Sequence, residues 1–330
     1  MNLKKDEVPG VLLSACIAVP AWLIGSHYPI VGGPVLGILL GMLFAFINRP
    51  AYLEKGLAYT SKHILQYAII LLGFDMNLYQ VIEVGGKTLI LMIFTLTMAF
   101  LSAFLLGKAL KVERNVNILI GVGTAICGGS AIAAAAPVIK AKDEDIAHSI
   151  STIFLFNVLA AFLFPALGHL MQMSNYHFGL WAGTAINDTS SVVAAGYSYS
   201  AQSGDLAVIV KLTRTLMIIP VTLILALVTM RKDPRGHASD YRLSRIFPWF
   251  ILGFAAASIS ATFLPVPSVL IALLPRSGKF MIVMAMAAIG LNTNLPKLLR
   301  NGTRPILLGL GCWFVLSVTS LAVQYWILGR

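Results

Sequence analysis

The feature that most constrains the fold is an apolar segment with a polar break in its middle, which occurs twice, sixty positions apart. The segment GTAICGGSAIAAAAPV begins at Gly123, and the segment GTAINDTSSVVAAG begins at Gly183. Each contains an apolar half-helix, a short break and a second half-helix of small residues. Inside a membrane, unwound backbone leaves N–H and C=O groups unpaired at several kcal/mol each, so it persists only where protein or a water-filled cavity covers it. Two matched breaks therefore predict the substrate site of a secondary transporter.

The composition predicts a membrane protein. Hydrophobic residues make up 58% of the chain and charged residues 11%, whereas a soluble domain carries about 25% charged residues. The net charge of +11 comes from short loops between apolar runs, which is typical of the cytoplasmic loops of membrane proteins and not of a nucleic-acid partner. The three cysteines, Cys16, Cys127 and Cys312, show no metal-binding or disulfide spacing. We expect the first apolar run to be a retained span, because no cleavage site of small residues follows a short apolar core.

Eleven apolar elements can be drawn along the sequence. They cover about residues 8–28, 31–48, 62–77, 86–108, 115–139, 146–172, 177–199, 204–230, 246–264, 278–295 and 305–328. The loops rich in Lys and Arg, at 49–62, 108–114, 231–245 and 297–304, all fall on one side of the membrane if the amino terminus is cytoplasmic. We therefore predict an all-α membrane protein with about 9–11 transmembrane elements in a single polytopic domain, residues 1–330.

A second repeat predicts that the two halves of the chain have inverted topology. LLGFDMNL at 71–78 matches AIGLNTNL at 288–295. An odd number of steps separates the two elements, so they cross the membrane in opposite directions, as in an inverted-topology repeat. The predicted halves are about 1–172 and 173–330.

The two broken elements, 115–139 and 177–199, leave two arrangements open. If both cross the membrane fully, they run parallel, which conflicts with inversion. If both are re-entrant hairpins, they enter from opposite faces, as inversion requires, and Lys140 and Lys142 return to the cytoplasm. Half-helices of about 12 residues rise about 18 Å, which suits either arrangement. In both, the breaks are predicted to meet near the middle of the membrane.

These segments resemble a known family. GTAICGGSAIAAAAPVIKA, GTAINDTSSVVAAG and the following VIVKLTRTLMIIPVTL are similar to the YeiH-like sulfate exporter family of bacterial membrane proteins, and the likeness covers nearly the whole chain. That family is grouped with the bile-acid symporter and sodium/proton antiporter superfamily. The resemblance implies inverted repeats, crossed discontinuous helices and a secondary transporter of anions, sulfate or a related anion, in the bacterial inner (cytoplasmic) membrane. The second broken element follows the first after one span, which departs from the order in the symporters.

The breaks are the candidate substrate site, because a helix that begins there presents free N–H groups and about half a positive charge, which anions bind. Glycines allow a close approach of the backbone, and hydroxyl groups add donors. The candidate substrate-binding residues are Thr124, Cys127, Gly128, Gly129, Ser130, Asn187, Thr189, Ser190 and Ser191. The alternative is that these small residues serve only tight helix packing.

Asp188 is the only carboxylate in either break. A charge near the centre of a bilayer costs roughly 2.5–3.5 kcal/mol, so we interpret it as functional, with Lys211 and Arg214 of the next element as candidate partners. Two interpretations stay open: a structural ion pair, or a coupling site at which Asp188 exchanges a proton or holds a cation such as sodium. Further candidates for substrate contact, with helix packing or a solvated cap as the alternative, are Asn157, Asn292 and Asn294.

The motifs of other functional classes are missing from the sequence. It contains no HExxH, no GxSG and no Cys/His metal spacing, so we expect neither an enzyme nor a metal or cofactor, apart from a coupling proton or sodium ion. An anion channel lined by the broken helices is the alternative to a transporter. We predict a secondary active transporter in the lipid bilayer that moves a small anion by alternating access; a homodimer is an open alternative to a monomer.

Overall fold

The computed structural model describes residues 5–27, 32–46, 49–232, 248–293 and 302–328. Within these ranges the chain is helical and contains no strand. The helices are α1 Val8–His27, α2 Gly33–Phe44, α3 Tyr52–Tyr59, α4 Leu65–Leu72, α5 Leu78–Ala109, α6 Arg114–Ala125, α7 Gly129–Val138, α8 Asp143–Leu170, α9 Asn175–Ala185, α10 Thr189–Tyr199, α11 Ala201–Thr215, α12 Ile218–Lys232, α13 Trp249–Phe263, α14 Ser268–Asn292 and α15 Thr303–Leu328. A π-helical turn, Thr60–Ile64, joins α3 to α4, and a 3-10 turn, Gly73–Asp75, follows α4.

Six stretches of the described residues are long and apolar enough to cross a membrane, which confirms the prediction of an all-α membrane protein. They are Val8–His27, Leu78–Ala109, Asp143–Leu170, Ala201–Leu225, Ser268–Asn292 and Thr303–Trp326. A span needs about 20 residues, each rising about 1.5 Å. Large apolar side chains such as Leu43, Phe104 and Trp326 are exposed on the outside of the protein, where lipid would cover them.

Each predicted element overlaps one or more of the observed helices, but three elements begin about eight to ten residues earlier than predicted. The third begins at Tyr52 instead of 62, the fourth at Leu78 instead of 86, and the tenth at Ser268 instead of 278. The added segments carry charged side chains, such as Glu83 and Arg276, which lower the apolar content without preventing a helix. The predicted end of the tenth element, at 295, lies outside the described residues.

The helices form two packed groups. Helices α1 to α4 pack with α13 and α14, while α5 to α12 pack with α15. Within the first group, α2 and α14 approach closely at Gly41 and Gly290, where a Cβ on either glycine would lie 2.3 Å from a carbonyl oxygen of the other helix. Small residues allow this kind of close contact between membrane helices. Helix α10 contacts α2 and α14, so the second broken element lies at the boundary between the two groups.

The first broken element, α6 and α7, is a re-entrant hairpin. Asn115, in the first turn of α6, donates from Nδ2 to Asp145 Oδ2 at 3.2 Å, and Asp145 lies in the first turn of α8. The backbone N–H of Lys142, which follows α7, donates to the same carboxylate oxygen at 3.2 Å. Both ends of this hairpin therefore lie at the N-terminal end of α8.

The second broken element, α9 and α10, is a re-entrant hairpin at the other end of α8. Tyr199, the last residue of α10, donates to the carbonyl oxygen of Met173, which precedes α9. Asn175, the first residue of α9, donates to Gln202 Oε1 at 2.8 Å, just after α10. Because α8 contains 28 residues and rises about 42 Å, the two hairpins enter from opposite ends and their tips point towards each other. Of the two arrangements open at the level of sequence, the structure therefore adopts the hairpins.

Candidate functional site

The tips of the two hairpins meet beside Asn157, near the midpoint of α8. The first tip is the break between Ala125 and Gly129, and the second is the break between Ala185 and Thr189. These are the two breaks that the sequence repeat predicts. Because the two tips meet, non-helical backbone from both hairpins lies at one point. The two hairpins and α8 surround this point.

Asn157 joins the two tips. Its side chain is buried, and its Oδ1 accepts the backbone N–H of Asp188 at 3.3 Å. Gly128, in the first tip, has φ 69° and ψ −129°, a conformation that only glycine adopts without strain. A Cβ on Gly128 would lie 3.4 Å from Asn157 Nδ2 and 3.6 Å from Asp188 Cβ. The glycine therefore lets the first tip turn directly beside the second.

Lys211, on α11, covers the C-terminal ends of the two half-helices that lead into the tips, α6 and α9. Its Nζ donates to the carbonyl oxygen of Ile126 at 2.8 Å and to that of Ile186 at 3.0 Å. The last carbonyls of a helix have no partner within the helix and carry a partial negative charge, so a cation is favourable there. The side chain of Lys211 is 0% exposed. It therefore satisfies the ends of both half-helices from a single buried position.

Arg214, about one turn further along α11, makes the same kind of contact. Its Nε donates to the carbonyl oxygen of Ala125 at 2.7 Å, and its two Nη groups donate to the carbonyl oxygens of Thr124 and Thr184. The guanidinium group holds its donors in one fixed plane, which suits several acceptors at once. Arg214 is also 0% exposed, so α11 closes both C-terminal ends with two buried cations.

The N-terminal ends of the two half-helices that leave the tips, α7 and α10, are more open. Ser130 is exposed in the first turn of α7, and no atom of a neighbouring segment lies within 4 Å of a Cβ placed on Gly129. Asp188 caps α10, where it accepts the backbone N–H of Ser190 at 3.0 Å and also the Ser190 hydroxyl. Asp188 and Thr189 are partly exposed. The first turn of α7, which has N–H groups without partners in the helix, therefore borders open space, whereas the Asp188 carboxylate caps the first turn of α10.

Two buried polar side chains at the tips have no hydrogen-bond partner among the described residues. The amide oxygen and nitrogen of Asn187 are both unpaired, and so is the hydroxyl of Thr124. Both residues are 0% exposed. An unpaired buried polar group costs about 1–3 kcal/mol and is rare in native proteins. The tips therefore hold polar groups that remain available to a ligand or to water.

Comparison with known proteins identifies the family. A family model described as "Conserved hypothetical protein 698" matches residues 9–309. The chain belongs to this family. It is 48% identical over 336 residues to a UPF0324 membrane protein of Streptococcus mutans, with 98% of each chain covered. It is 44% identical over 341 residues to a UPF0324 membrane protein of Fusobacterium nucleatum, with 97% of this chain and 98% of the relative covered. No solved structure matches the chain.

Membership of the UPF0324 family supports part of the resemblance drawn from the sequence. The relatives are named as membrane proteins of bacteria, which agrees with the apolar helices of this chain. Sulfate export and the bile-acid symporter superfamily do not appear in these matches, so both stay predictions.

In this UPF0324 membrane protein, the structure brings most of the predicted site residues together at the hairpin tips. These residues are Thr124, Cys127, Gly128, Gly129, Ser130, Asn157, Asn187, Asp188, Thr189, Ser190, Ser191, Lys211 and Arg214. Asn292 does not join them, because it lies at the end of α14 and accepts from Arg49 Nη2 at 3.1 Å. Asn294 lies outside the described residues.

The structure does not show a direct ion pair between Asp188 and Lys211 or Arg214. None of the ion pairs among the described residues includes Asp188. Lys211 and Arg214 bind helix carbonyls instead, and Ser190 donates to the carboxylate. The sequence indicates charged partners for Asp188, but the carbonyl oxygens at the helix ends, which also attract cations, have no side-chain signal. A coupling role for Asp188 stays a prediction.

Sequence reasoning missed a second polar cluster, at the boundary between the two helix groups. Lys279 Nζ lies 3.1 Å from Asp75 Oδ2 and 5.6 Å from the centroid of the Tyr197 ring. Tyr197 donates to Asp205 Oδ1 at 2.5 Å. Asp75 and Asp205 also line a cleft of about 440 Å³. Asp205 and Lys279 are charged residues within apolar elements, and that is the sequence signal that would have found them.

Proposed function

We propose that this protein is a secondary transporter that binds a small anion, sulfate or a related inorganic or organic anion, at the N-terminal ends of α7 and α10. The observation that carries the proposal is the fully buried amide of Asn187, in the second tip, which has no hydrogen-bond partner among the described residues. The Asn187 Nδ2 can donate to an anion, as can the backbone N–H groups of the first turn of α7, which has no side-chain cap.

The fixed charges at the tips favour an anion over a cation. Lys211 and Arg214 bring two positive charges and Asp188 brings one negative charge, so these three side chains carry a net charge of +1. The N-terminal ends of α7 and α10 add partial positive charge, while the negative ends of α6 and α9 are already covered by the cations. Since uncompensated charge is costly in a low-dielectric interior, a bound anion brings the site closer to neutrality.

The arrangement of the hairpins supports alternating access. They enter from opposite ends of α8 and meet at one point, which is the geometry expected of inverted-topology repeats in secondary transporters. Helix α10 lies at the boundary between the two helix groups, so a relative movement of the groups would change which approach to the tips is open. The inverted repeat, the cytoplasmic amino terminus, the inner-membrane location and coupling to protons or sodium are all part of this proposal.

A thermal-shift titration of the purified protein tests the anion site. Sulfate and other small anions are added at constant ionic strength, and the unfolding temperature is measured. A ligand at about 100 times its dissociation constant stabilises the folded state by about 2.7 kcal/mol, so we expect a saturating upward shift with at least one anion. The substitution Asn187→Leu should abolish the shift, while Asn175→Ala, at the far end of α9, should keep it. Equal shifts in the two variants, or no shift with any anion, would contradict the proposal.

Flux measurements in proteoliposomes distinguish the transporter from a channel. A transporter gives anion uptake that saturates with concentration and responds to an opposing gradient of the coupling ion. Conductance that is independent of any counter-ion would show that the broken helices line a channel instead.

A further inference from the structure

The C-terminal ends of α6 and α9 together present a cage of carbonyl oxygens that already contains positive charge. The oxygens belong to Thr124, Ala125, Ile126, Thr184 and Ile186. Each of them accepts a hydrogen bond from Lys211 or Arg214, and both cationic side chains are 0% exposed. The cage is therefore occupied by the protein itself.

Carbonyl oxygens of this kind are suited to a coupling metal cation. In discontinuous membrane helices, unwound carbonyls and the C-terminal ends of half-helices supply oxygen ligands together with a partial negative charge. Here, Lys211 Nζ lies within 2.8 Å of the Ile126 oxygen and within 3.0 Å of the Ile186 oxygen. A free cation could bind these oxygens only by displacing the ammonium group.

Displacement of the ammonium group requires a large rearrangement. Helix α11, which carries Lys211, packs against both α9 and α10. The neighbouring side chains Val208, Val210 and Leu212 are buried. Because Lys211 has no exposed surface, it can leave the cage only if α11 separates from the second hairpin.

We propose that Lys211 and Arg214 are resident cations, which take the place that a coupling metal ion would occupy, and that anion binding by this protein requires no sodium. The inference rests on the proposed anion site and narrows its coupling to protons or to exchange for another anion. A tethered cation stays with the protein at every step, so it balances the charge of the bound anion without being transported.

Replacement of sodium by choline tests the inference on the wild-type protein. The anion that stabilises the protein is titrated while choline chloride replaces sodium chloride at fixed ionic strength. We expect the apparent dissociation constant of the anion to stay the same across the sodium series. A saturating sodium requirement would overturn the inference while leaving the anion site in place, whereas the absence of any anion response would mean that the proposed function itself has failed.

Removal of the Lys211 ammonium group should make anion binding depend on an added organic cation, a dependence that the wild-type protein lacks. In Lys211→Ala the deleted atoms correspond to propylammonium, which can refill the space between the Ile126 and Ile186 oxygens. We expect the variant to bind the anion at least roughly tenfold more weakly, and propylammonium to restore binding. Propylamine analogues without charge, such as propanol, should not restore it.

Thr213→Ala is the matched control, because Thr213 lies on the same helix and its hydroxyl donates within that helix, to the Ile209 carbonyl oxygen at 2.9 Å. This variant should bind the anion with wild-type affinity and show no response to propylammonium. Full anion affinity of Lys211→Ala without any added cation would overturn the inference. If Lys211→Ala does not fold, the sodium series on the wild-type protein still decides the question.

Discussion

At the hairpin tips, the C-terminal and N-terminal helix ends differ in which groups satisfy their free backbone hydrogen-bonding groups. At the C-terminal ends of α6 and α9, the carbonyl oxygens are bonded by Lys211 and Arg214. At the N-terminal ends, Asp188 caps α10, whereas α7 has no side-chain cap and exposes Ser130. Since the C-terminal end of a helix is negative and the N-terminal end positive, the chain supplies its own cation and leaves room for an external anion.

The largest expected loss of stability comes from removing a cation that covers the C-terminal ends of α6 and α9. Arg214→Ala removes donors from three carbonyl oxygens in a fully buried position. Because a hydrogen bond to a charged group is worth about 1.5–3 kcal/mol, we expect a loss of about 3 kcal/mol or more in the free energy of unfolding. The unfolding temperature in detergent measures this loss. Arg276→Ala, at an exposed position on α14, is the control and should change little; equal effects of the two variants would show that the buried contacts contribute nothing.

Two neighbouring glycines, Gly128 and Gly129, differ in backbone conformation, because only Gly128 has a positive φ. Gly128→Ala should cost about 1–3 kcal/mol, because its φ of 69° is strained for any other residue, although the added Cβ would make only ordinary contacts with Asn157 and Asp188. Gly129→Ala faces open space, so its stability should lie within about 0.5 kcal/mol of the wild type. Thermal unfolding of both variants without ligand measures the difference. A larger loss for Gly129→Ala would contradict the open N-terminal end of α7.

Replacement of the unpaired Asn187 amide should abolish anion binding without lowering the stability of the protein. Asn187→Leu replaces an unsatisfied buried polar side chain by an apolar one of similar size. We expect the protein without ligand to be as stable as the wild type or more stable, by up to about 1 kcal/mol, and the anion-dependent shift to be lost. A marked loss of stability in the absence of any anion would mean that the amide has a structural partner.

The smallest effect on stability is expected at the cap of α10. Asp188→Asn keeps an oxygen that can accept the Ser190 N–H, and Asn and Asp are equally good helix caps, so stability should change by less than about 0.5 kcal/mol. Loss of the carboxylate should nevertheless remove the dependence of anion uptake on the proton gradient. Uptake by proteoliposomes at a series of imposed pH gradients measures this dependence. Unchanged coupling in the well-folded variant would exclude Asp188 from the mechanism.

The sequence was sufficient to predict the breaks and their meeting, because a break leaves a local signature. The Gly-Gly-Ser of 128–130 and the Asn-Asp of 187–188 interrupt runs that are otherwise apolar, and their repetition relates the two segments. The choice between crossing and re-entrant segments depended on which ends lie together. That information comes from contacts such as Asn115 with Asp145, which have no local signal.

The roles of the cations could not be predicted from the sequence. Lys211 and Arg214 are three positions apart and share one face of α11, so their proximity to a break was predictable. Whether they would reach the Asp188 carboxylate or the helix carbonyls depends on how α11 packs against both hairpins. The same holds for Asn157, whose acceptor role depends on the depth at which α8 passes the tips.

The most direct test of the anion site is a structure of the protein with an anion that scatters anomalously. Selenate or bromide is used, according to which gives the larger thermal shift. We expect an anomalous peak about 3.3–4 Å from the backbone nitrogens at the start of α7 and from Asn187 Nδ2, because selenium lies behind the oxygen that accepts each hydrogen bond and bromide is larger than oxygen. A peak only at the basic loops, or at the cage held by Lys211 and Arg214, would contradict an anion site at the N-terminal ends of the hairpin tips.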